Sequence, residues 1–268
     1  MNDSFGGQPD DHRLARLLAD EAGKALLELR AQLLREGTSR WDLELQGDNL
    51  GHKLIVERLA LLRPQDIVLS EEGADNKARL DAERVWIVDP LDGTNEYGTP
   101  PRPDWAVHVA LVVNNEVNCG AVALPAMGVT LATDIPPELP EREDGPVRVI
   151  ASRWHPSAAA QVVARETKGQ LLGLGSAGAK AMAVVMGQAD VYAHSGGQYE
   201  WDNCAPAAVA RAAGLHVSRI DGSPLRYNNP SVYLPDFLIC RPELADQCLE
   251  ALSRALSRSQ LWLPSEDY

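Results

Sequence analysis

The residues with the clearest chemical potential are carboxylates that follow short apolar runs. The apolar residues 85–88 are followed directly by the run Asp-Pro-Leu-Asp-Gly-Thr at 89–94. The apolar run predicts a buried strand, and we expect Pro90 to end it because proline cannot donate a ladder hydrogen bond. Two acids at a strand end repel each other unless a cation lies between them, and hard divalent cations prefer oxygen ligands. The alternative interpretation is an ordinary Asp/Gly turn.

Further acids occupy comparable positions elsewhere in the chain. A second predicted strand, residues 67–69, ends on Ser-Glu-Glu-Gly at 70–73, and a Trp-Asp pair opens a predicted helix at 201–202. A pair of metal ions about 3.5–4 Å apart needs carboxylates that converge from different elements. The converging set that the sequence offers is Glu71, Asp89, Asp92, Asp202 and the carbonyl of Leu91. Such a site could activate water and stabilise a phosphoryl group during its transfer.

The residues after the second aspartate suit the same chemistry. If a helical turn begins at Gly93, its free N–H groups can hold a phosphate oxygen. The hydroxyl of Thr94 could orient a water molecule at a metal site, and its alternative role is to cap the helix. The segment 89–94 therefore predicts a place where a phosphate and a water molecule meet.

Composition excludes several classes of protein. The 268 residues carry a net charge of −13, which argues against nucleic-acid polymers as partners. A small anionic substrate remains compatible, because bound metal ions invert the local field. No apolar run approaches the roughly 20 residues of a membrane span, and the N-terminus lacks the features of a signal peptide. The four scattered cysteines predict reduced thiols in a cytoplasmic protein.

Helices and strands alternate along the chain, which indicates a layered α/β protein. Helical spacing predicts a helix at 13–35 and another at 50–62, with a short strand at 41–45 and a turn at 46–49 between them. The domain prediction is a disordered tail at 1–11, an N-terminal α+β lobe at 12–133 that carries the acidic motifs, a proline-rich linker at 134–146 and a C-terminal α/β lobe at 147–268.

The ordered set of motifs resembles the inositol monophosphatase family of Mg²⁺-dependent, lithium-sensitive phosphatases. The resemblance rests on the run at 89–94, the Glu-Glu pair 18 residues before Asp89 and the later Trp-Asp pair, and it covers about residues 11–257. It implies a five-layer αβαβα sandwich of the sugar-phosphatase type with two intimate lobes. It also implies two or three Mg²⁺ ions, a small phosphorylated nucleotide or sugar as substrate, and a homodimer in the cytoplasm without membrane contact.

Four segments resemble one branch of that family, the CysQ-type 3′-phosphoadenosine-5′-phosphate phosphatases, and particularly its actinobacterial members. These segments are residues 152–155, 175–182, 196–202 and 221–225. The implied reaction is hydrolysis of 3′-phosphoadenosine 5′-phosphate to AMP and phosphate, which serves sulfate assimilation. The alternatives on the same scaffold are inositol-1-monophosphatase and fructose-1,6-bisphosphatase activity.

The resemblance also implies the ligands of the metal ions. Glu71, Asp89 and the carbonyl of Leu91 would hold the first Mg²⁺, and Asp89, Asp92 and Asp202 would hold the second. Glu72 is left outside this set. Transfer of the phosphoryl group would go directly to water, without a phosphoenzyme.

Catalytic and substrate-binding roles are implied in the same way. Thr94, with Glu71 or Asp48, would orient the attacking water, and the backbone of Gly93 and Thr94 would cradle the phosphate. The family usually has a threonine shortly before the aspartate at 48, whereas here the run is Leu-Gln-Gly-Asp at 45–48. The expected substrate contacts in the second lobe are Ser176, Lys180 and His155.

The nucleotide end departs from the family pattern in two places. The spacing from the Gly-Ser pair to Lys180 is one residue longer than in enterobacterial relatives. An arginine that often follows the strand tyrosine is replaced, because Tyr-Ala-His stands at 192–194. A preference for the second phosphate is therefore a weaker expectation than the phosphatase chemistry.

Three rival interpretations make different predictions. Residues 173–178 match the GxGxxG pattern of NAD-dependent oxidoreductases, but a lone match is a weak signal and leaves the acids unexplained. Phosphatases that form a phospho-aspartate resemble a strand ending in Asp-x-Asp, whereas the spacing here is Asp-x-x-Asp with a proline between. The third rival is a non-enzymatic module that binds a metal or an anion.

Overall fold

The computed structural model describes residues 10–258. None of the helices in that range is long and apolar enough to cross a membrane. The helices are α1 (Asp11–Arg35), α2 (Arg40–Leu62), α3 (Thr94–Tyr97), α4 (Ala158–Glu166), α5 (Ala177–Val185), α6 (Glu200–Ala212) and α7 (Ala245–Ser257). The strands are β1 (Ile67–Ser70), β2 (Arg84–Asp92), β3 (Ala106–Val113), β4 (Glu116–Leu124), β5 (Val129–Ala132), β6 (Arg148–Ser152), β7 (Gln170–Leu174), β8 (Val191–Tyr199), β9 (His216–Ser218) and β10 (Tyr233–Cys240).

The strands form two five-stranded sheets. The first sheet has the order β1-β2-β3-β4-β5, and the second has the order β7-β6-β8-β10-β9. Helices α1 and α2 cover the outer face of the first sheet, α5 and α6 lie between the sheets, and α4 and α7 cover the second. This arrangement confirms the predicted five-layer αβαβα sandwich.

The predicted strand at 41–45 and turn at 46–49 are wrong, because these residues belong to α2. Ser39 caps the helix, and its Oγ accepts a hydrogen bond from the Asp42 N–H at 3.1 Å. The buried face of α2 repeats at every fourth residue and consists of Leu43, Gly47, Gly51, Ile55 and Leu59. Two glycines within that face conceal its helical periodicity in the sequence.

The predicted end of the strand at Pro90 is also wrong, since β2 continues to Asp92. The pairing of β2 with β3 shifts register between Asp89 and Asp92. Pro90 lies inside this irregularity, where a ladder hydrogen bond from its nitrogen is not required. The proline therefore places a bulge in the strand rather than ending it.

Alternation along β2 decides which way the first aspartate points. Trp86 and Val88 pack into the core beneath α1 and α2, whereas Val85 and Ile87 belong to the core shared with α5 and α6. Because side chains in a strand alternate between the two faces of a sheet, Asp89 continues the Val85–Ile87 face. It therefore points towards the central helices.

The proline-rich segment 134–146 connects the two sheets. It carries no named helix or strand, and it packs on the second sheet's side, where Arg241 Nη2 donates to the Pro140 carbonyl at 2.7 Å. The division into lobes stays a prediction. Most of the predicted tail, residues 1–9, lies outside the described residues, and Asp11 already belongs to α1. All four cysteines are free and buried.

Candidate active site

Three aspartates from two elements meet between the sheets. Asp89 and Asp92 come from the end of β2, and Asp202 comes from the first turn of α6. Oxygen atoms of the three side chains lie within 4.8 Å of one another, and this is the metal-competent acidic group found among residues 10–258. Asp202 also accepts a hydrogen bond from the Tyr199 N–H at 2.7 Å, which fixes its carboxyl group at the start of α6.

Glu71 joins this group through Asp89. Its backbone N–H donates to the Val88 carbonyl at 3.2 Å, which extends the parallel pairing of β1 with β2. The Glu71 residue as a whole is exposed, but its carboxyl group hydrogen-bonds to that of Asp89 and is shielded from water there. This desolvation, together with the charges of Asp202 and Asp92, raises the pKa of Glu71 to about 7.

The acidic group has the electrostatics of a cation site. Burial, followed by the charges of Glu71, Asp92 and Asp202, raises the pKa of Asp89 well above its ordinary range. Burial and the charge of Asp92 likewise raise the pKa of Asp202 to about 6. Two carboxyl groups can hydrogen-bond to each other only if they share a proton, and a divalent cation relieves the same repulsion. These oxygen donors therefore fit a hard divalent metal ion.

Asp92 differs from its neighbours because hydrogen-bond donors surround it. Its Oδ2 accepts from the Ser176 hydroxyl at 2.5 Å and from the Gly178 N–H at 2.6 Å, and its Oδ1 accepts from the Ala177 N–H at 3.0 Å. His108 Nε2 lies 3.2 Å from Oδ2. Burial alone would raise the pKa of Asp92, but His108 and these donors hold it below the usual range. Asp92 is therefore ionised.

The glycine-rich segment 173–178 makes intramolecular contacts at the start of α5. Ser176 caps α5, its hydroxyl also accepts from the Ala179 N–H at 3.0 Å, and the first N–H groups of the helix bind the Asp92 carboxylate. A dinucleotide pyrophosphate would need those same N–H groups. The match to the GxGxxG pattern thus reflects how α5 docks on β2.

The hydroxyl of Thr94 lies between two oxygen atoms. It is 3.3 Å from Asp48 Oδ1 and 3.1 Å from the Leu91 carbonyl, and its single hydrogen can serve one of them at a time. Desolvation, together with the charge of Glu72, raises the pKa of Asp48 to about 7, although the contact with Thr94 opposes this shift. Asp48 is therefore able to accept a proton near neutral pH.

Two glycines of α2 bring Asp48 to this position. A Cβ atom at Gly47 would lie 2.7 Å from the Tyr97 ring, and one at Gly51 would lie 2.9 Å from the Pro90 carbonyl. Any larger residue would therefore push α2 away from β2 and α3. These contacts explain why Asp48, which is far from Thr94 in sequence, lies beside it.

The predicted substrate contacts of the second lobe occupy different environments. Lys180 is buried, and its Nζ donates to the Gly175 carbonyl at 2.8 Å. Burial lowers the pKa of Lys180, while the charges of Asp92 and Asp202 partly offset that shift. Ser176 is engaged with Asp92, and His155 lies in an exposed turn after β6. Their contacts with substrate stay predictions.

An open cleft of about 380 Å³ adjoins the helical turn that carries Thr94. Its lining consists of Arg40, Asn95, Glu96, Thr99, Arg102 and Trp154. Trp154 is 70% exposed, and its indole offers a flat apolar surface to a ligand. No role for Trp154 itself was predicted from the sequence.

His108 is the other residue of the site that sequence reasoning missed. It is wholly buried on β3, and its Nδ1 lies 3.0 Å from the Trp201 carbonyl. A single histidine in an apolar strand carries no local signal, since its contact with Asp92 depends on how β2, β3 and α6 pack.

Comparisons with known proteins give the same assignment as the motifs. A sequence profile of the inositol monophosphatase family matches residues 12–134 and 149–257. The 3′-phosphoadenosine 5′-phosphate phosphatase of Mycobacterium tuberculosis is 47% identical over 243 residues, covering 88% of this chain and 90% of that protein. The 3′(2′),5′-bisphosphate nucleotidase CysQ of Escherichia coli is 30% identical, covering 83% and 96%.

Solved structures show the same architecture. CysQ from Bacteroides thetaiotaomicron, a bacterial member of the inositol monophosphatase family, superposes with a TM-score of 0.68 at 27% identity. The alignment covers 85% of this chain and 96% of that one. Together with the profile match over most of the sequence, this similarity shows that the chain belongs to the inositol monophosphatase family.

Proposed function

We propose that this chain is a Mg²⁺-dependent phosphomonoesterase that hydrolyses 3′-phosphoadenosine 5′-phosphate to AMP and inorganic phosphate. The observation that carries the proposal is the convergence of the buried Asp89 and Asp92 with the half-buried Asp202. The relative that supports the choice of substrate is the mycobacterial phosphatase, at 47% identity. Family resemblance further favours a cytoplasmic protein that lithium inhibits and that forms a homodimer. Light scattering after gel filtration would measure the mass of the particle in solution and so test the homodimer.

The proposed metal ligands are the residues named from the sequence. Glu71, Asp89 and the Leu91 carbonyl would hold one ion, and Asp89, Asp92 and Asp202 would hold another, within a total of two or three. Mg²⁺ bound there supplies positive charge that activates water and offsets the charge of the phosphoryl group in transit.

Thr94 and Asp48 are proposed to accept the proton of the attacking water in a relay. When the Thr94 hydroxyl donates to Asp48 Oδ1, its lone pairs are free to accept a hydrogen bond from water. The proton then passes from water to Thr94 Oγ1 as the proton of Thr94 moves to Asp48. Glu71, whose pKa is also about 7, is the alternative acceptor. The backbone of Gly93 and Thr94 holds the phosphate oxygens.

The cleft beside α3 favours a nucleotide over a cyclitol phosphate as the substrate. Trp154 offers a stacking surface for a purine ring, and base–aromatic stacking contributes about 1–3 kcal/mol per base. Inositol has no π-face to use this surface. Ser176, Lys180 and His155 are proposed to contact the remainder of the substrate.

Phosphate release from three substrates tests this assignment. With saturating Mg²⁺, we expect kcat/KM for 3′-phosphoadenosine 5′-phosphate to exceed the values for inositol 1-phosphate and fructose 1,6-bisphosphate by at least about tenfold, the equivalent of one stacking contact. A higher kcat/KM for inositol 1-phosphate or fructose 1,6-bisphosphate would assign the chain to another branch of its family.

A further inference from the structure

His108 contacts both halves of the acidic site. It lies on β3, opposite Asp89 in the β2–β3 register, and faces the central helices. Its Nδ1 is 3.0 Å from the Trp201 carbonyl, one residue before Asp202, and its Nε2 is 3.2 Å from Asp92 Oδ2. One wholly buried ring therefore spans from the end of β2 to the first turn of α6.

The chemistry of its partner sets the direction of the hydrogen bond at Nδ1. A backbone carbonyl can only accept a hydrogen bond, so Nδ1 donates to Trp201. At Nε2 the ring faces a carboxylate oxygen that already accepts from the Ser176 hydroxyl and the Gly178 N–H. Oδ1 of Asp92 accepts from the Ala177 N–H at 3.0 Å and keeps a second lone pair that can face a cation.

Gly178 makes this close packing possible. A Cβ atom at position 178 would lie 2.1 Å from His108 Nε2, closer than any real contact. Without a side chain there, α5 settles against the imidazole and its N–H reaches Asp92 Oδ2 at 2.6 Å. The helix N–H therefore donates to Asp92 Oδ2, and the imidazole Nε2 lies against the same oxygen at 3.2 Å.

We infer that His108 is a positioning residue, which fixes the Asp92 carboxylate relative to Asp202 so that the end of β2 and the start of α6 present one preformed cation site. This inference rests on the proposed function only in treating those aspartates as metal ligands. A histidine that served packing alone would need neither nitrogen contact, whereas here each nitrogen meets a segment that carries one of the two acids.

Mg²⁺ titration of the full chain by calorimetry tests the inference, with no substrate present. His108→Phe keeps a ring of similar shape and removes both nitrogens. His108→Gln restores an amide N–H near the position of Nε2. We expect the phenylalanine variant to bind Mg²⁺ at least about tenfold more weakly, as is usual when a partner of a metal ligand is lost. The glutamine variant should recover most of the affinity.

A matched control separates positioning from general stability. Val122 pairs with His108 across β3 and β4 and is buried, so Val122→Ala loosens the same sheet without removing a contact to an acid. Its Mg²⁺ affinity should equal that of the unmodified chain even if its melting temperature falls. In activity assays, His108→Phe should need more Mg²⁺ for half-maximal rate, a shift that loss of folded protein does not produce.

The outcomes are distinct. Equal Mg²⁺ affinity in His108→Phe and the unmodified chain would overturn the positioning role, as would a glutamine variant as weak as the phenylalanine one. Failure of the unmodified chain to bind Mg²⁺ would overturn it together with the metal site. If the chain binds Mg²⁺ with the expected order of affinities but does not hydrolyse 3′-phosphoadenosine 5′-phosphate, the proposed function fails and the role of His108 stands.

Discussion

The hydroxyl of Thr94 lies 3.3 Å from Asp48 Oδ1, although 46 positions separate the two residues in the sequence. Thr94 begins α3, and Asp48 lies in the middle of α2. Arg30 holds α3 in place by donating to the carbonyls of Tyr97 at 2.8 Å and Glu96 at 3.0 Å. The positions of Asp48 and Thr94, the proposed proton acceptor and water-binding hydroxyl, are therefore set by the packing of α2 against β2 and α3.

Asp48→Asn should lower kcat by about 10²-fold or more, because an amide cannot accept the proton that Thr94 passes on. Steady-state phosphate release at saturating Mg²⁺ measures the effect. Mg²⁺ affinity should stay near the original value, since Asp48 is outside the proposed ligand set. Glu57→Gln, a substitution on the exposed surface of the same helix, serves as the control. A kcat equal to that of the unmodified chain would remove Asp48 from the mechanism.

Asp92→Asn and Asp202→Asn should each weaken Mg²⁺ binding by at least about tenfold, since a neutral amide replaces an anionic ligand of the same shape. Calorimetric titration with Mg²⁺ gives the affinity directly. Asparagine at 202 can still accept the Tyr199 N–H, so the start of α6 should survive the change. Full turnover at low Mg²⁺ in either variant would show that the proposed ligands of the second metal ion are wrong.

Trp154→Ala should raise KM for the nucleotide at least about fivefold, because it removes the proposed stacking surface. KM for inositol 1-phosphate should not change. Trp154→Phe should retain most of the nucleotide affinity, and Leu61→Ala, at another exposed apolar side chain, should have no effect. An unaltered KM for the nucleotide in Trp154→Ala would show that the purine base does not stack on Trp154.

Asp190 is buried and links acid stability to its ion pairs with Arg148 and Arg142. It accepts from the Arg148 N–H at 2.8 Å and from Arg148 Nη2 at 2.9 Å. Burial opposes ionisation, but these contacts outweigh it and lower the pKa of Asp190 below its ordinary value. A lowered carboxyl pKa stabilises the fold above the pKa of the unfolded chain, and this contribution is lost as the pH falls through the folded value.

Asp190→Asn should therefore lower the free energy of unfolding at pH 7 by about 1.5–3 kcal/mol, the usual contribution of a hydrogen bond to a charged group. Below about pH 4 the difference should shrink, because the carboxyl group of the unmodified chain is then protonated in the unfolded state and increasingly in the folded state. Urea unfolding at a series of pH values measures both. A difference that stays constant down to pH 3 would contradict the assignment.

Much of the site follows from the sequence because its acids end apolar runs. The apolar residues 85–88 locate β2, and the acids of 89–94 must then lie at its carboxyl end beside β1. The convergence of Asp202 with them is implied by the family resemblance, and the structure places Asp202 in the first turn of α6, beside Asp89 and Asp92.

The parts that the sequence does not predict depend on contacts between distant segments. The glycines of α2 look like helix breakers until Pro90 and Tyr97 occupy the space beside them. His108 lies in a run of apolar letters, and its contact with Asp92 requires the register of β2 with β3 and the docking of α5. The raised pKa of Glu71 likewise depends on desolvation and on the charges of Asp202 and Asp92, which come from distant segments.

The most direct test of the central claim is release of inorganic phosphate from 3′-phosphoadenosine 5′-phosphate by the full chain, with Mg²⁺ and after its removal by EDTA. Asp89→Asn is the paired variant, because Asp89 belongs to both proposed metal sites. We expect release that requires Mg²⁺ and falls by at least about 10²-fold in Asp89→Asn, in keeping with loss of the charge that stabilises the transition state. No release with Mg²⁺, or equal release by the variant, would contradict it.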